Sequence, residues 1–160
     1  MELGTNITGL ILLLLCILPI VLSIRSRNKI KQQFLAELTG YANQYNCTIH
    51  QYEITASYII GIDKEKKHLF FESKIDEQQH QQMIDLNGIK ECAFIRKSKN
   101  IKGYGVVIER LALGFIPKKL NNQRVEFELY NADLSAQLSG ELQSLESWYE
   151  LINEQLKNKS

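Results

Sequence analysis

Hydrophobic and polar positions fall into three textures along this chain. The first is Leu3 to Ile24, twenty-two residues without a charge and almost purely aliphatic from Leu10 to Leu18. Its apolar segment, Ile7 to Ile24, is eighteen residues long. As a helix it reaches about 27 Å, enough to cross the hydrocarbon core of a bilayer. The run predicts a transmembrane anchor within residues 1–27, spanning 7–24. A cleaved signal peptide fits less well: only Glu2 precedes the run, where a basic region is needed, and no Ala-x-Ala pattern follows it. A buried core helix would keep a polar face, and this run has none.

The second texture is helical. Over residues 28–46, Ile30, Phe34, Leu38, Tyr41, Ala42 and Tyr45 recur at spacings of three and four, the single stripe of an amphipathic linker helix. Such a helix either continues the span as a stalk or folds back onto a domain, and Phe34 and Tyr41 on one side favour packing. The chain also closes with a helix, expected over 139–157. There Leu142, Leu145, Trp148, Tyr149, Ile152 and Leu156 form one stripe while Glu141, Glu146, Glu150, Glu154 and Gln155 face away. Ser139 is the expected N-cap, and Lys157 suits the negative end of the dipole.

Between the helices lies the third texture, short runs rich in Ile, Val, Phe and Tyr broken by polar turns, the pattern of an antiparallel meander. The runs are Ala56 to Ile62, His68 to Glu72, Met83 to Leu86, Ile89 to Lys97, Tyr104 to Ile116 and Arg124 to Tyr130. Asp63-Lys64-Glu65-Lys66-Lys67 reads as a charged hairpin turn and Glu77 to Gln82 as a polar loop or strand entry. In the last run Val125, Phe127 and Leu129 alternate with Glu126, Glu128 and Tyr130, one face buried and one wet. Residues 47–160 therefore read as one α+β domain with a trailing helix laid over its sheet.

Charge fixes an orientation. Arg25, Arg27, Lys29 and Lys31 follow the span and no cation precedes it, so the carboxyl-terminal side is expected in the cytoplasm and the amino terminus outside the inner membrane. Without those four cations and Glu2, fifteen Lys and Arg face seventeen acids, a net charge of −2. That balance argues against a nucleic-acid partner, which needs a clustered basic face. Cys16 lies in the span, while Cys47 and Cys92 are far apart with no Cys-x-x-Cys pattern. Neither a zinc site nor a disulfide framework is signalled.

Candidate chemistry is sparse. His50, His68 and His80 stand in unrelated segments without a metalloprotease or nucleophile motif, so no catalytic, cofactor or metal residue is assigned. Cys92 reads as a small core hydrophobe; Cys47, beside a helix end and a polar stretch, is open to exposure, with nothing nearby that would lower its pKa. Two basic loops stand out, Arg96/Lys97/Lys99/Lys102 and Lys118/Lys119 with Arg124. Together with the four cations after the span, and if at the same end of the domain, they are candidates for contact with an anionic membrane surface.

The order of elements, about six strands and then one amphipathic helix carrying Trp148, resembles the pleckstrin-homology-like (PH-like) fold: a bent antiparallel sheet or split barrel capped by its last helix. The stretches Ile60-Gly61-Ile62-Asp63, Lys67-His68-Leu69-Phe70-Phe71, Ile84-Asp85-Leu86, Ile89-Lys90-Glu91-Cys92, Val125 to Asp133 and Leu138 to Leu142 are similar to uncharacterised bacterial single-pass membrane proteins. The resemblance implies seven strands, with Thr48 to Glu53 or a split of Tyr104 to Ile116 supplying the seventh. It does not imply phosphoinositide binding, because the turn at 63–67 carries two acids and no arginine. Anchor, compact domain and missing catalytic motifs together point to a membrane-anchored, non-enzymatic binding or scaffolding module, tied to the bilayer by its first helix and to a protein partner or a second copy by its domain. The alternative is a small-molecule or lipid-binding domain, which could face the envelope and needs an open centre among Phe70, Phe71, Phe94, Phe127 and Trp148. An enzyme would need two of His50, His68, Glu72, Glu109 and Cys92 in one cleft.

Overall fold

The computed structural model describes residues 29–73, 80–103, 105–119, 123–135 and 137–158. The expected span at 7–24, with Arg25 and Arg27, lies outside the described residues. Among those described, no helix is long and apolar enough to cross a membrane. By its contacts the chain divides into Met1–Glu37 and Leu38–Ser160. In the first unit residues 29–37 belong to helix α1 (residues 29–44), where Gln33 Nε2 donates to Glu37 Oε1 one turn on.

The second unit is α+β, with two antiparallel sheets. Strands β1 (Gln51–Ile54), β2 (Tyr58–Asp63), β3 (His68–Ser73) and β4 (His80–Asp85) form one sheet in the order β1-β2-β3-β4. Strands β5 (Ile89–Ile101), β6 (Gly105–Pro117) and β7 (Val125–Asn131) form the other, and helix α2 (Glu141–Lys157) closes the chain. The sheets do not join into a closed barrel. The expected seventh strand is β1.

Every residue of β2 is buried, because both faces of the first sheet are covered. Tyr58, Ile60 and Ile62 point inward, joining Leu69 and Phe71 of β3 in the core. Ile59 and Gly61 point outward, and Gly61 faces the end of α1. A Cβ at Gly61 would stand 2.8 Å from Leu38 Cδ2 and 3.2 Å from Ile49 Cγ2, so glycine is what admits the helix there. Leu38 and Ala42 are fully buried, and Tyr41 meets the outward ring of Phe70 edge-on at 5.6 Å. The carboxyl-terminal part of the linker helix therefore packs, as its stripe predicts.

The end of α1 buries Cys47. Asn46 adopts a left-handed φ of 54°, while Cys47 N–H donates to Ala42 C=O and Asn46 N–H to Asn43 C=O. This paired arrangement is a Schellman motif, whose apolar contact joins the residues at its two ends. Cys47 is one of them and is buried, not exposed. Burial first, and then the nearby Asp63 carboxylate, push its thiol up.

The second sheet packs its inner face on the first through aromatic rings. Phe127 of β7 stacks on Phe71 of β3 at 4.7 Å and meets Phe115 of β6 at 4.9 Å, and Tyr58 stacks behind Phe71 at 5.8 Å. From α2, Leu145, Trp148 and Ile152 enter the same core while Tyr149 meets Phe94 edge-on at 5.7 Å. Cys92 is in this core, as its sequence context predicts, and burial pushes its thiol to about 12.

Several boundaries differ from expectation. Strand β4 starts at His80, not Met83, and Leu86 falls in a 3-10 turn over Leu86–Gly88 whose start is capped by Asp85 Oδ1 accepting from Asn87 N–H at 2.8 Å. The run expected to end at Lys97 continues as strand to Ile101. Tyr130 is buried because β7 carries a bulge: Leu111 pairs with Tyr130 and Ala112 with Glu128, so Leu129 and Tyr130 no longer alternate simply. Helix α2 begins at Glu141 after Gly140, whose φ is 108°; no side chain caps it, and Ser139 instead donates its N–H to the buried Glu141 carboxylate.

Candidate functional site

The second sheet is uneven in length. β5 and β6 pair from Ile89↔Pro117 to Ile101↔Gly105, whereas β7 pairs with β6 only over Arg110–Phe115. Residues 98–101 and 105–108 thus continue as a two-stranded ribbon about 15 Å beyond the third strand. Glu109, an extra residue between the pairs Lys97↔Arg110 and Ser98↔Ile108, makes a bulge at its base. The turn uses Gly103 at φ 92° and Gly105 at φ 80°, conformations that glycine adopts without strain.

This ribbon carries one of the two expected basic clusters. Arg96, Lys97 and Lys99 lie on β5 and Lys102 in the turn, all exposed, so the expected loop is mostly strand. Among the described residues none of the four is in an ion pair. Paired positions share a face, so Lys99 lies with Val107, and Lys97 and Ile101 alternate onto the same side; Asn100 and Val106 lie on the other. Lys97, Lys99, Ile101, Val107, Glu109 and Arg110 wall a groove of about 370 Å³ where β7 ends.

Lys118 and Lys119 are exposed just past Pro117, the far end of β6, where Lys118 Nζ donates to Asn87 C=O. The structure spreads the two basic clusters along β6: Lys102 and Lys118 stand beyond its opposite ends, about 40 Å of extended chain apart, while Arg96 and Lys97 lie opposite its middle, at Leu111 and Arg110. Lys29 and Lys31 are exposed on α1. Arg110 is engaged instead, its Nη1 2.9 Å from Glu126 Oε2 and its Nε on Glu128, and the Glu128 bond foremost raises its pKa. Arg124 joins this network through Glu126 at 3.3 Å.

Groups weighed for catalysis stay apart. His68 Nδ1 lies 2.8 Å from Lys66 C=O, Glu72 is buried with Oε2 accepting from Gln81 at 3.1 Å, Cys92 is in the core, and Glu109 lines the groove. His80 is placed on β4. Among the described residues no three His, Cys, Asp or Glu side chains are grouped to hold a metal ion.

Two polar clusters escaped sequence reasoning. Buried Asp63 accepts N–H groups from Thr48 at 2.8 Å and from Glu65 and Lys66 at 2.9 Å, with His50 Nδ1 3.6 Å away. Its signal was present: aspartate opening a turn captures the N–H groups two and three residues on. The second cluster has no local signal. Tyr58 Oη donates to Ser144 Oγ, which donates to Glu53 Oε2 at 2.7 Å, and Trp148 Nε1 donates to the same oxygen at 2.6 Å. Burial foremost drives the Tyr58 phenol far above its ordinary pKa of 10, so it stays a donor. The cluster clasps β1 and β2 to α2. Replacing Glu53 with alanine leaves the indole N–H and the serine hydroxyl without their acceptor and is expected to cost about 1–3 kcal/mol. Urea unfolding checks this, and a change within about 0.5 kcal/mol, ordinary for surface sites, would mean the clasp contributes nothing.

No protein-family model, curated protein or solved structure gives a significant match to this chain.

Proposed function

We propose that this chain is a non-enzymatic binding module held at the inner membrane, with the amino terminus outside and a PH-like domain in the cytoplasm that binds a protein partner or a second copy. The observation that carries the binding reading is the filled centre. Phe71, Phe127 and Trp148, with Tyr58 and Phe115, occupy the space between the sheets that an enclosed ligand would need. Phe70 lies on the outer side under α1 and Phe94 at the edge beside Tyr149, so neither opens a cavity. Recognition then falls to the outer surface, and two open sheets offer strand edges to which an extended segment can add.

The tethering part rests on the apolar run at 7–24 and the cations after it, and the PH-like part is supported by four strands, then three, then a last helix. Cross-linking in intact cells followed by purification of the full chain tests the binding reading. The wild-type chain should bring down a partner, or itself, that a Phe127→Ala chain with a weakened domain does not. If both chains yield the same background, the domain is not a binding module.

A further inference from the structure

We infer that the β5–β6 ribbon enters the headgroup layer of an anionic bilayer tip first. Three exposed aliphatic side chains gather at its end: Val106, 67% exposed, Ile101, 40%, and Val107, 37%. A two-stranded ribbon with such side chains in water has little of its own to bury them against.

The arrangement selects the occupant. Ile101 and Val107 lie on one face and Val106 on the other, so the apolar surface surrounds the tip instead of covering one side. A flat protein surface or a second copy packed against the ribbon would cover one face and leave the other wet. A fluid lipid surface covers both. Lys99 lies on the ribbon and Lys102 in its turn, with Lys97 and Arg96 behind them on opposite faces, while Glu109 and Asp133 are the acids in the groove at its base. Cations ringing an apolar end match anionic headgroups above an acyl layer, with lysine stems running along the apolar part and ammonium groups kept among phosphates. Lys102 in the turn limits entry to the headgroup and upper acyl region. Such shallow insertion is weak on its own; the inference rests on the membrane-tether reading, because a tether holds the tip at high local concentration.

The test uses the full chain with Val106→Trp, reconstituted into phosphatidylcholine vesicles with or without about a third phosphatidylserine, some lipid carrying brominated acyl chains. Trp148 is the chain's one tryptophan and is buried, so the parent gives the baseline and reports an intact core. In anionic vesicles the introduced indole should shift to the blue and be quenched about twofold, and about half a molar salt or the triple change Lys97→Glu, Lys99→Glu, Lys102→Glu should return it to baseline. An indole placed by Lys119→Trp, at the far end of β6, should stay unquenched. A chain that floats with the vesicles but leaves the Val106→Trp indole at baseline overturns the inference alone. So does equal quenching at both sites, equal quenching in neutral vesicles, or a blue shift without lipid that vanishes on dilution, which marks a contact between copies. A chain that fails to float removes the tether reading, and the inference with it.

Discussion

Replacing Phe127 with alanine is expected to destabilise the domain by about 3–5 kcal/mol, the range for deleting a fully packed aromatic ring. Phe127 is completely buried and is the ring on which both sheets meet, stacked on Phe71 of the first and edge-on to Phe115 of its own. Its ring neighbours come from two other strands, β3 and β6, whose backbones are fixed by their own ladders, so the space left behind closes only in part. Against a total stability of about 5–15 kcal/mol for an ordinary domain, the loss is a large fraction. Phe94→Ala is the matched comparison. That ring is half-buried and packs mainly on Tyr149, so the expected cost is smaller, about 1–2 kcal/mol. Urea titration of the full chain in lipid, followed by the buried Trp148, measures both. Equal losses for the two variants would mean that the sheets are not joined through Phe127.

The elements that bury one clean face are the ones legible in the residues. Periodicity alone marks the stripe Leu145, Trp148 and Ile152 and the pair Phe127 and Leu129, and all five are buried. Periodicity fades where burial ends. Residues 98–101 extend β5 into a ribbon with no covered face, so Ser98, Lys99 and Asn100 carry the composition of a loop while pairing as a strand. His80 to Gln82, on the edge strand β4, look polar for a related reason, since among the described residues one side of that strand has no further partner. Tyr130 departs from its pattern because a bulge shifts phase by one residue, and α2 starts two residues later than expected, after the left-handed Gly140; no count of apolar positions reports either. The candidate site is half legible. Its cations stand out in the sequence, but the distance between Lys102 and Lys118 follows from the thirteen-residue length of β6, and the exposure of Val106 from where β7 stops pairing. The Glu53 clasp joins residues 91 and 95 positions apart and depends wholly on tertiary structure.

Asp63→Asn is expected to cost about 2–4 kcal/mol near neutral pH, although it changes almost no volume. Both carboxylate oxygens are acceptors here: Oδ2 takes the Thr48 N–H and Oδ1 takes those of Glu65 and Lys66. An amide offers one oxygen, so its NH2 must face at least one buried N–H donor. The same geometry sets a pH dependence. Burial by itself raises the Asp63 pKa, but the three backbone donors and His50 outweigh it, and the net shift is below the ordinary 3.8. A carboxyl depressed on folding binds its proton more readily in the unfolded chain, so its stabilisation is present above that ordinary value and is lost as pH falls through the folded one. His50 stands between the two carboxylates, its Nδ1 3.6 Å from Asp63 Oδ1 and its Nε2 3.8 Å from Glu65 Oε1. The urea midpoints of the parent and Asp63→Asn chains should therefore lie far apart near pH 7 and converge as pH falls below the ordinary carboxyl value of 3.8. A gap unchanged by acid would assign the loss to altered packing at the turn, leaving the ionised carboxylate no part in holding the β2–β3 hairpin to the chain after α1.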